Sequence, residues 1–588
     1  MRHVKEAMLT LLFALLIPSP SFAASFCSAV YANAGSDADE FGPWQRARVL
    51  CDLRTALKAK YSLQEIKEEK MNISLERQLD GCIRREIVSN LAPKKYEGDY
   101  PILEFEDRVL RCLSAFWDTH LKMSSQTAKP QVYAGFSLAR IGDKFFISSV
   151  SKLIAEDWAK KQPAAAKLLQ PGAEVVSVNG ISPAKWVSDL SPYIAGSSKR
   201  FVAEEAAAAI TLRNFAYPQV GTLEVGIAGR GKVRIPWWMV GINQRSATRE
   251  FFKAAKISSA HNLSPGIELD MRDGADARGY DHRLPLEEES KLTNFFDDKG
   301  SLGLRLGNFE QGGRSYCYVQ ILTFATKRWR IGNPGGRTVT FAAPFEQMAV
   351  SCEANKSPLI LDLRSNAGGD SGNPAKVLAA FAEAGKSYPS ALMSGLLTSH
   401  FQDVLAKYSL GDGFEIEGEE TPETLIYSAF KKAVEQEKDY LPFVASPNIS
   451  TSLKEGAFGQ KIVALVTPQC VSACDLMAGM LKISGRAHLV GTFTNGTGGR
   501  FLEIGESPAA GWKDDLYGTI SVRIPNSLHA LLPRLLRDKE SGVFDFEGHK
   551  GWVMENRPIT AHTWYDTGLS DILGAGAGWR EKAIQALQ

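Results

Sequence analysis

The chain has 588 residues, room for about two to four domains. Hydrophobic residues make up 44% and charged residues 23%, a balance that excludes a disordered chain, a fibrous repeat and a multi-span membrane protein. Lys plus Arg total 68 against 66 Asp plus Glu, and a formal charge of +2 gives no basic excess for a phosphate backbone, so no nucleic-acid partner is expected.

At the start of the chain, Arg2 and Lys5 precede the apolar stretch Ala7–Ile17, followed by Pro18, Pro20 and the small-residue pattern Ser21-Phe22-Ala23. These are the three regions of a secretory signal peptide, residues 1–23, with cleavage expected after Ala23. The apolar stretch is too short to span a bilayer. The mature protein is therefore expected to be exported, periplasmic or secreted, without stable membrane insertion.

Residues 24–130 read as a mainly helical domain. Arg46–Tyr61 and Leu63–Leu91 are rich in Leu, Ala, Glu, Lys and Arg, with apolar residues at three- and four-residue spacing. After Lys129-Pro130 the texture changes to strand-like runs over 132–138, 144–150, 174–178 and 232–238, which makes 131–240 a β domain. Residues 241–310 are charged, punctuated by Gly and Asp, and nearly aperiodic, the pattern of an irregular insertion. Over 311–588, β runs at 318–324, 359–363, 462–467 and 488–492 alternate with helical stretches, as in an α/β core. The fold class expected is α/β multidomain.

All eight cysteines follow the signal segment, and an even number in an exported chain permits disulfides. Cys82 and Cys112 each lie in a helical stretch that could pair antiparallel, which favours a bridge between them. Cys470 and Cys474 are expected to stay unpaired, as small buried residues. There is no Cys-x-x-Cys and no His-Glu-x-x-His, so no metal and no cofactor is expected. Gly226–Lys232 has phosphate-loop spacing, but Val233 stands where Ser or Thr is needed and the residues after it read as strand, which rejects that motif.

Pro171-Gly172 and Asn179-Gly180 are turns flanking an alternating strand, and Gly135-Phe136-Ser137-Leu138 lies upstream. Together they resemble a PDZ domain, whose Gly-Phe-type loop offers backbone N–H groups to a peptide carboxylate while the peptide adds a strand to the sheet edge. Further on, the buried-strand pattern Leu359-Ile360-Leu361-Asp362-Leu363 runs into Arg364-Ser365-Asn366-Ala367-Gly368-Gly369. Two glycines at a strand exit let backbone amides face a cavity, as an oxyanion hole requires. This string, with Tyr318–Phe324 upstream, resembles the signature of the tail-specific (C-terminal processing) and tricorn-type serine proteases. The resemblance implies a nucleophilic serine at the start of the helix after the next strand. Ser472 stands there, with His488–Gly491 also matching downstream. It further implies an oxyanion hole formed by the N–H of Ala473 and of Gly368 or Gly369. On its own, without the family resemblance, Ser472 reads as a helix N-cap.

The base is not where these families place it. Thr497 stands where tail-specific members carry lysine, and the opening strand of the core offers only Gln320 where a histidine could serve. Phe116-Trp117-Asp118-Thr119-His120, however, resembles the Asp-Tyr-His element of the secreted branch typified by the chlamydial protease-like activity factor. Trp552-Val553-Met554-Glu555-Asn556 resembles the Glu-Asn string of that branch and of tricorn, and Gly491–Gly499 its Gly-rich stretch. Two departures are Pro558 in place of glycine and Leu121–Ser124 in place of a glycine-containing turn. The resemblance implies His120 as base and Glu555 as the residue that orients it. It also implies a homodimer and a zymogen nicked within 241–305. The expected function is a secreted serine endopeptidase acting on protein or peptide substrates. The alternative is a catalytically inactive peptide-binding protein on the same scaffold, motivated by the missing lysine and histidine and by Pro558.

Overall fold

A computed structural model describes residues 22–34, 42–89, 100–125, 131–213, 215, 222–240, 292–388, 392–396, 440–445, 449–450, 458–499, 501–504, 520–525, 528–531, 544–546, 549–574 and 576–588. The expected signal peptide, apart from Phe22 and Ala23, lies outside them, as does 241–291, most of the segment expected to be nicked. Two compact units are formed. One comprises the described residues within 1–116, 120–129 and 501–526, and the other those within 117–119, 130–500 and 527–588.

In the first unit, helices span Phe22–Ala34, Pro43–Lys60, Gln64–Met71, Leu75–Ser89 and Tyr100–Ser114. Pro43 opens the second, where its missing N–H costs nothing, and Asn72 in the left-handed conformation ends the third. Leu50, Leu53, Leu57, Leu79, Ile83, Phe105 and Val109 recur at helical spacing and are buried. Cys27–Cys51 bridges the first two helices, and the expected Cys82–Cys112 bond bridges the last two. Buried Glu86 accepts from Arg46 Nε at 2.6 Å. Lys122–Ser125 pairs antiparallel with Ile520–Pro525, which pairs with Phe501–Ile504.

In the second unit, residues 131–240 enclose a core of Phe136, Leu138, Ile147, Trp158, Leu223 and Trp237. The strand expected over 132–138 is two strands, Gln131–Tyr133 and Phe136–Ile141. They break where the Ala134 amide turns away to the Thr211 carbonyl, 2.8 Å. The rejected phosphate-loop look-alike is the hairpin joining Thr222–Ile227 to Gly231–Pro236.

Among the described residues the main sheet has nine strands: β1 Thr293–Phe296, β2 Leu302–Gln311, β3 Arg314–Ile321, β4 Arg328–Ile331, β5 Thr338–Thr340, β6 Leu359–Asp362, β7 Ile462–Val466, β8 His488–Gly491 and β9 Thr563–Trp564. Their order is β5-β4-β1-β2-β3-β6-β7-β8-β9. Pairing is antiparallel from β5 to β3 and parallel from β3 to β9. The end of the segment expected to be irregular up to 310 is thus sheet. Its Gly and Asp residues make the turn at Asp297–Gly300, where Asp297 Oδ1 accepts from the Lys299 and Ser301 amides, while Phe295, Leu304, Leu306 and Phe309 are buried.

The sheet is covered on both faces. Val319, Ile321, Leu359, Leu361, Ala464 and Val466 pack with helices Ala343–Ala354, Asn373–Ala380 and Ala473–Ile483. Tyr318, Ile360, Val463 and Leu465 pack against Trp579, Ala583 and Ile584 of the helix Ala577–Leu587. Burial on both sides explains why β6 and β7 read as unbroken apolar runs rather than alternating ones. Cys317–Cys352 ties β3 to the helix Ala343–Ala354. No helix among the described residues is long and apolar enough to cross a membrane.

Candidate active site

The strand exit is built first. Beyond β6, buried Arg364 folds back on Asp362, with Nε to Oδ1 at 2.9 Å and Nη2 to Oδ2 at 2.7 Å, and Tyr318 OH donates to the same carboxylate at 2.8 Å. Asn366, fully buried, then fixes the turn: its Nδ2 donates to the Ile321 carbonyl at 3.1 Å and its Oδ1 accepts from the Gly368 amide at 2.8 Å. Gly368 has φ 88°, and a Cβ there would lie 2.5 Å from the Val471 carbonyl oxygen and 2.8 Å from the Ser472 Cβ. Only glycine fits. The Gly368 carbonyl accepts from the Phe324 amide and the Asp370 amide donates to the Phe324 carbonyl. The Gly369 N–H between them therefore faces the opposite side of the strand.

β7 delivers the second element. Ser472 caps the helix Ala473–Ile483 with φ 60° and ψ −116°. For a residue other than glycine that conformation costs about 1–3 kcal/mol and is retained where a side chain must be held out of a turn. Ser472 is half-buried, while Val471, Ala473 and Cys474 around it are buried. Cys470 and Cys474 are bonded to each other across Ser472, which corrects the expectation that they stay free. The turn into the helix brings their Cα atoms to 5.1 Å, within bridging range, although they are only four residues apart.

Asp475, fully buried in the first turn, accepts from the Ser472 amide at 2.7 Å, the Gly496 amide at 2.8 Å and the Thr497 amide at 3.2 Å. Burial pushes its carboxyl up to about 7, opposed by the hydrogen bonds from Thr494 and these three amides. Thr497, at the lysine position of tail-specific members, has its hydroxyl 3.0 Å from Ser197 Oγ and 2.5 Å from Asn495 Oδ1.

Glu555 follows the strand His549–Val553 and is buried. Its Oε1 accepts from Ser197 Oγ at 3.0 Å and its Oε2 from the Gly498 amide at 3.3 Å. Asn556, at φ 55°, donates through Nδ2 to the Trp117 carbonyl at 2.8 Å and the Ser197 carbonyl at 2.9 Å. Thr119 is held in the same network: its hydroxyl donates to Asn495 Oδ1 at 2.7 Å and accepts from the Ser197 amide at 2.9 Å. Gly496 lets the loop pass, since a Cβ there would lie 2.7 Å from the Pro558 nitrogen.

The second unit therefore brings together Gly368, Ser472 and Ala473 directly, and joins Ser472 to Glu555 through Asp475 and the Gly496–Gly498 loop. His120 is assigned to the first unit, buried, with its ring 5.3 Å from that of Phe501. Phe136, Ser137 and Leu138 are buried in the hairpin with Lys144–Val150. Sequence reasoning missed Asp475, Ser197, Thr119, Asn366 and Asn495. Asp475 carried the Ser-x-x-acid spacing of a capping box, and Asn366, Thr119 and Asn495 lie within the strings that carry the family resemblance, whereas Ser197 has no signal around it.

Residues 315–502 match the model of peptidase family S41. With the fold, that match makes the core that of a serine peptidase, a hydrolase of protein or peptide substrates. Among solved structures the chain is similar to mature CPAF, at 16% identity and a TM-score of 0.65, covering 92% of this chain and 96% of that one. Mature CPAF complexed with lactacystin gives 16% and 0.64, over 92% and 97%. A serine-to-alanine mutant of CPAF gives 14% and 0.64 over the same shares. No curated protein sequence matches the chain.

Proposed function

We propose that the chain is an exported serine endopeptidase that cleaves proteins through an acyl-enzyme on Ser472. The observation that carries this reading is the position of Ser472: at positive φ, heading a buried helix, against Gly368 of the Gly-Gly strand exit. In the first step His120 takes the hydroxyl proton as Ser472 Oγ bonds to the scissile carbonyl carbon. The carbon–nitrogen bond then breaks, and the imidazolium returns that proton to the leaving amine. Water attacks the ester by the same route in reverse, regenerating the serine. Glu555 accepts from the other ring nitrogen of His120, fixing its tautomer and stabilising the imidazolium. The Ala473 amide and that of Gly369 stabilise the oxyanion, because the Gly368 amide is already held by Asn366.

In the same reading, residues 131–240 are a PDZ-like peptide-binding module whose carboxylate-binding segment is Gly135–Leu138, at the start of the strand Phe136–Ile141. The enzyme is a homodimer whose activation involves nicking within 241–305, and the hydrophobic start of the chain directs export. Lactacystin, complexed with mature CPAF, is expected to inhibit this chain.

Casein hydrolysis by the wild type, Ser472→Ala and His120→Ala tests the assignment. Both variants should lose at least about 10³-fold in kcat with unchanged circular dichroism. Full activity of Ser472→Ala overturns the nucleophile, and full activity of His120→Ala alone overturns the base.

A further inference from the structure

We infer that Asp475 is a positioning residue for acyl transfer: its carboxylate holds the Ser472 amide and the Gly496–Thr497 loop together and so sets Ser472 in register with Glu555. The inference rests on the proposed reading of Ser472 as nucleophile. An acid three residues into a helix ordinarily does no more than close a capping box on the N-cap amide. Asp475 does this for Ser472 at 2.7 Å, but it also accepts from the amides of Gly496 and Thr497, remote in sequence and on a different loop.

That loop continues to both oxygens of Glu555. The Gly498 amide donates to Oε2, and the Thr497 hydroxyl lies against Ser197 Oγ, which donates to Oε1. One buried carboxylate thus stands between the nucleophile turn and the residue proposed to orient the base. Its three backbone N–H donors use both oxygens, so an amide cannot replace it. In Asp475→Asn at least one N–H would face an NH₂ group, and the turn and the loop would part. A displacement near 1 Å costs about 10²-fold in rate while binding is little changed.

The test is steady-state hydrolysis of a peptide substrate by the full chain above about pH 8, where the Asp475 carboxyl is ionised, with thermal melting in parallel. Asp475→Asn is expected to lower kcat by roughly 10–100-fold with KM within about twofold. Asp475→Glu, which keeps the charge but displaces the oxygens by a methylene, should not restore kcat. A lowered melting temperature with unchanged kcat would reduce Asp475 to a helix cap, and full rescue by Asp475→Glu would reduce it to a charge. Either result overturns the inference. If Asp475→Asn does not fold, Thr494→Val decides, because it removes one hydroxyl from the same carboxylate and leaves its three amide donors. A several-fold fall in kcat at constant KM supports the inference, and an unchanged kcat overturns it. Ser472→Ala in the same assay separates the two claims. An active Ser472→Ala removes the nucleophile itself, whereas an inactive one beside a fully active Asp475→Asn removes only the positioning role.

Discussion

The Val471 amide donates to the Asn366 carbonyl at 3.0 Å, so the turn that presents Ser472 is bonded directly to the strand exit that presents Gly368. Two segments more than a hundred residues apart are thereby fixed at a single peptide unit, and the Asn366 side chain holds the next one by accepting from the Gly368 amide.

Asn366→Ala should therefore damage stability and rate together. It leaves the Ile321 carbonyl and the Gly368 amide without the partners they have in a buried site, at about 1–3 kcal/mol for each group. Urea titration should show a loss of roughly 2–4 kcal/mol, with kcat reduced at a temperature where the variant is folded. A loss below about 0.5 kcal/mol, ordinary for a surface change, would contradict the role given to Asn366.

Asp475 makes stability depend on pH in a stated direction. Its folded-state value, about 7, lies above the ordinary carboxylate range. The folded protein therefore keeps a proton that the unfolded chain releases from about pH 4 upward. This contribution to stability is fully present below about pH 4 and is lost as pH rises through 7. Between pH 5 and pH 8 the wild type should lose more stability than Asp475→Asn, which has no such proton to release. Parallel pH profiles of the melting temperature in the two proteins would refute this.

The cysteine arrangement predicts four cross-linked pairs: Cys27–Cys51, Cys82–Cys112, Cys317–Cys352 and Cys470–Cys474. Peptide mapping under non-reducing conditions after denaturation in iodoacetamide should find all eight cysteines unalkylated. Alkylated Cys470 and Cys474 would restore the sequence-based expectation and remove the brace around Ser472.

The sequence made the strands of the core legible because both of their faces are buried. Leu359-Ile360-Leu361 and Ile462–Val466 have no polar face to obscure the pattern, and the Gly-Gly exit follows at once. Strands β1 and β2 were obscured, since polar residues such as Thr293, Asn294, Arg305, Asn308 and Glu310 break up their apolar pattern and their turn is rich in Gly and Asp, as a loop would be. The Cys82–Cys112 bridge followed from helix pairing. The Cys470–Cys474 bridge did not, because it depends on the backbone path at Ser472 rather than on residue type. Ser197 illustrates a further limit. Nothing around it in sequence marks it, and its place beside Glu555, Thr497 and Thr119 exists only once three distant segments converge.

The most direct test of the central claim is labelling of the wild-type enzyme with a fluorophosphonate, followed by mass spectrometry of the modified peptide. An activated serine hydroxyl displaces fluoride and forms a stable phosphonyl ester, whereas an ordinary helix-capping serine does not react. The result expected is a single adduct on Ser472, absent in Ser472→Ala and strongly slowed in His120→Ala. A folded wild-type protein that takes no label, or takes it at another serine, would contradict the account and favour a peptide-binding protein that keeps only the scaffold.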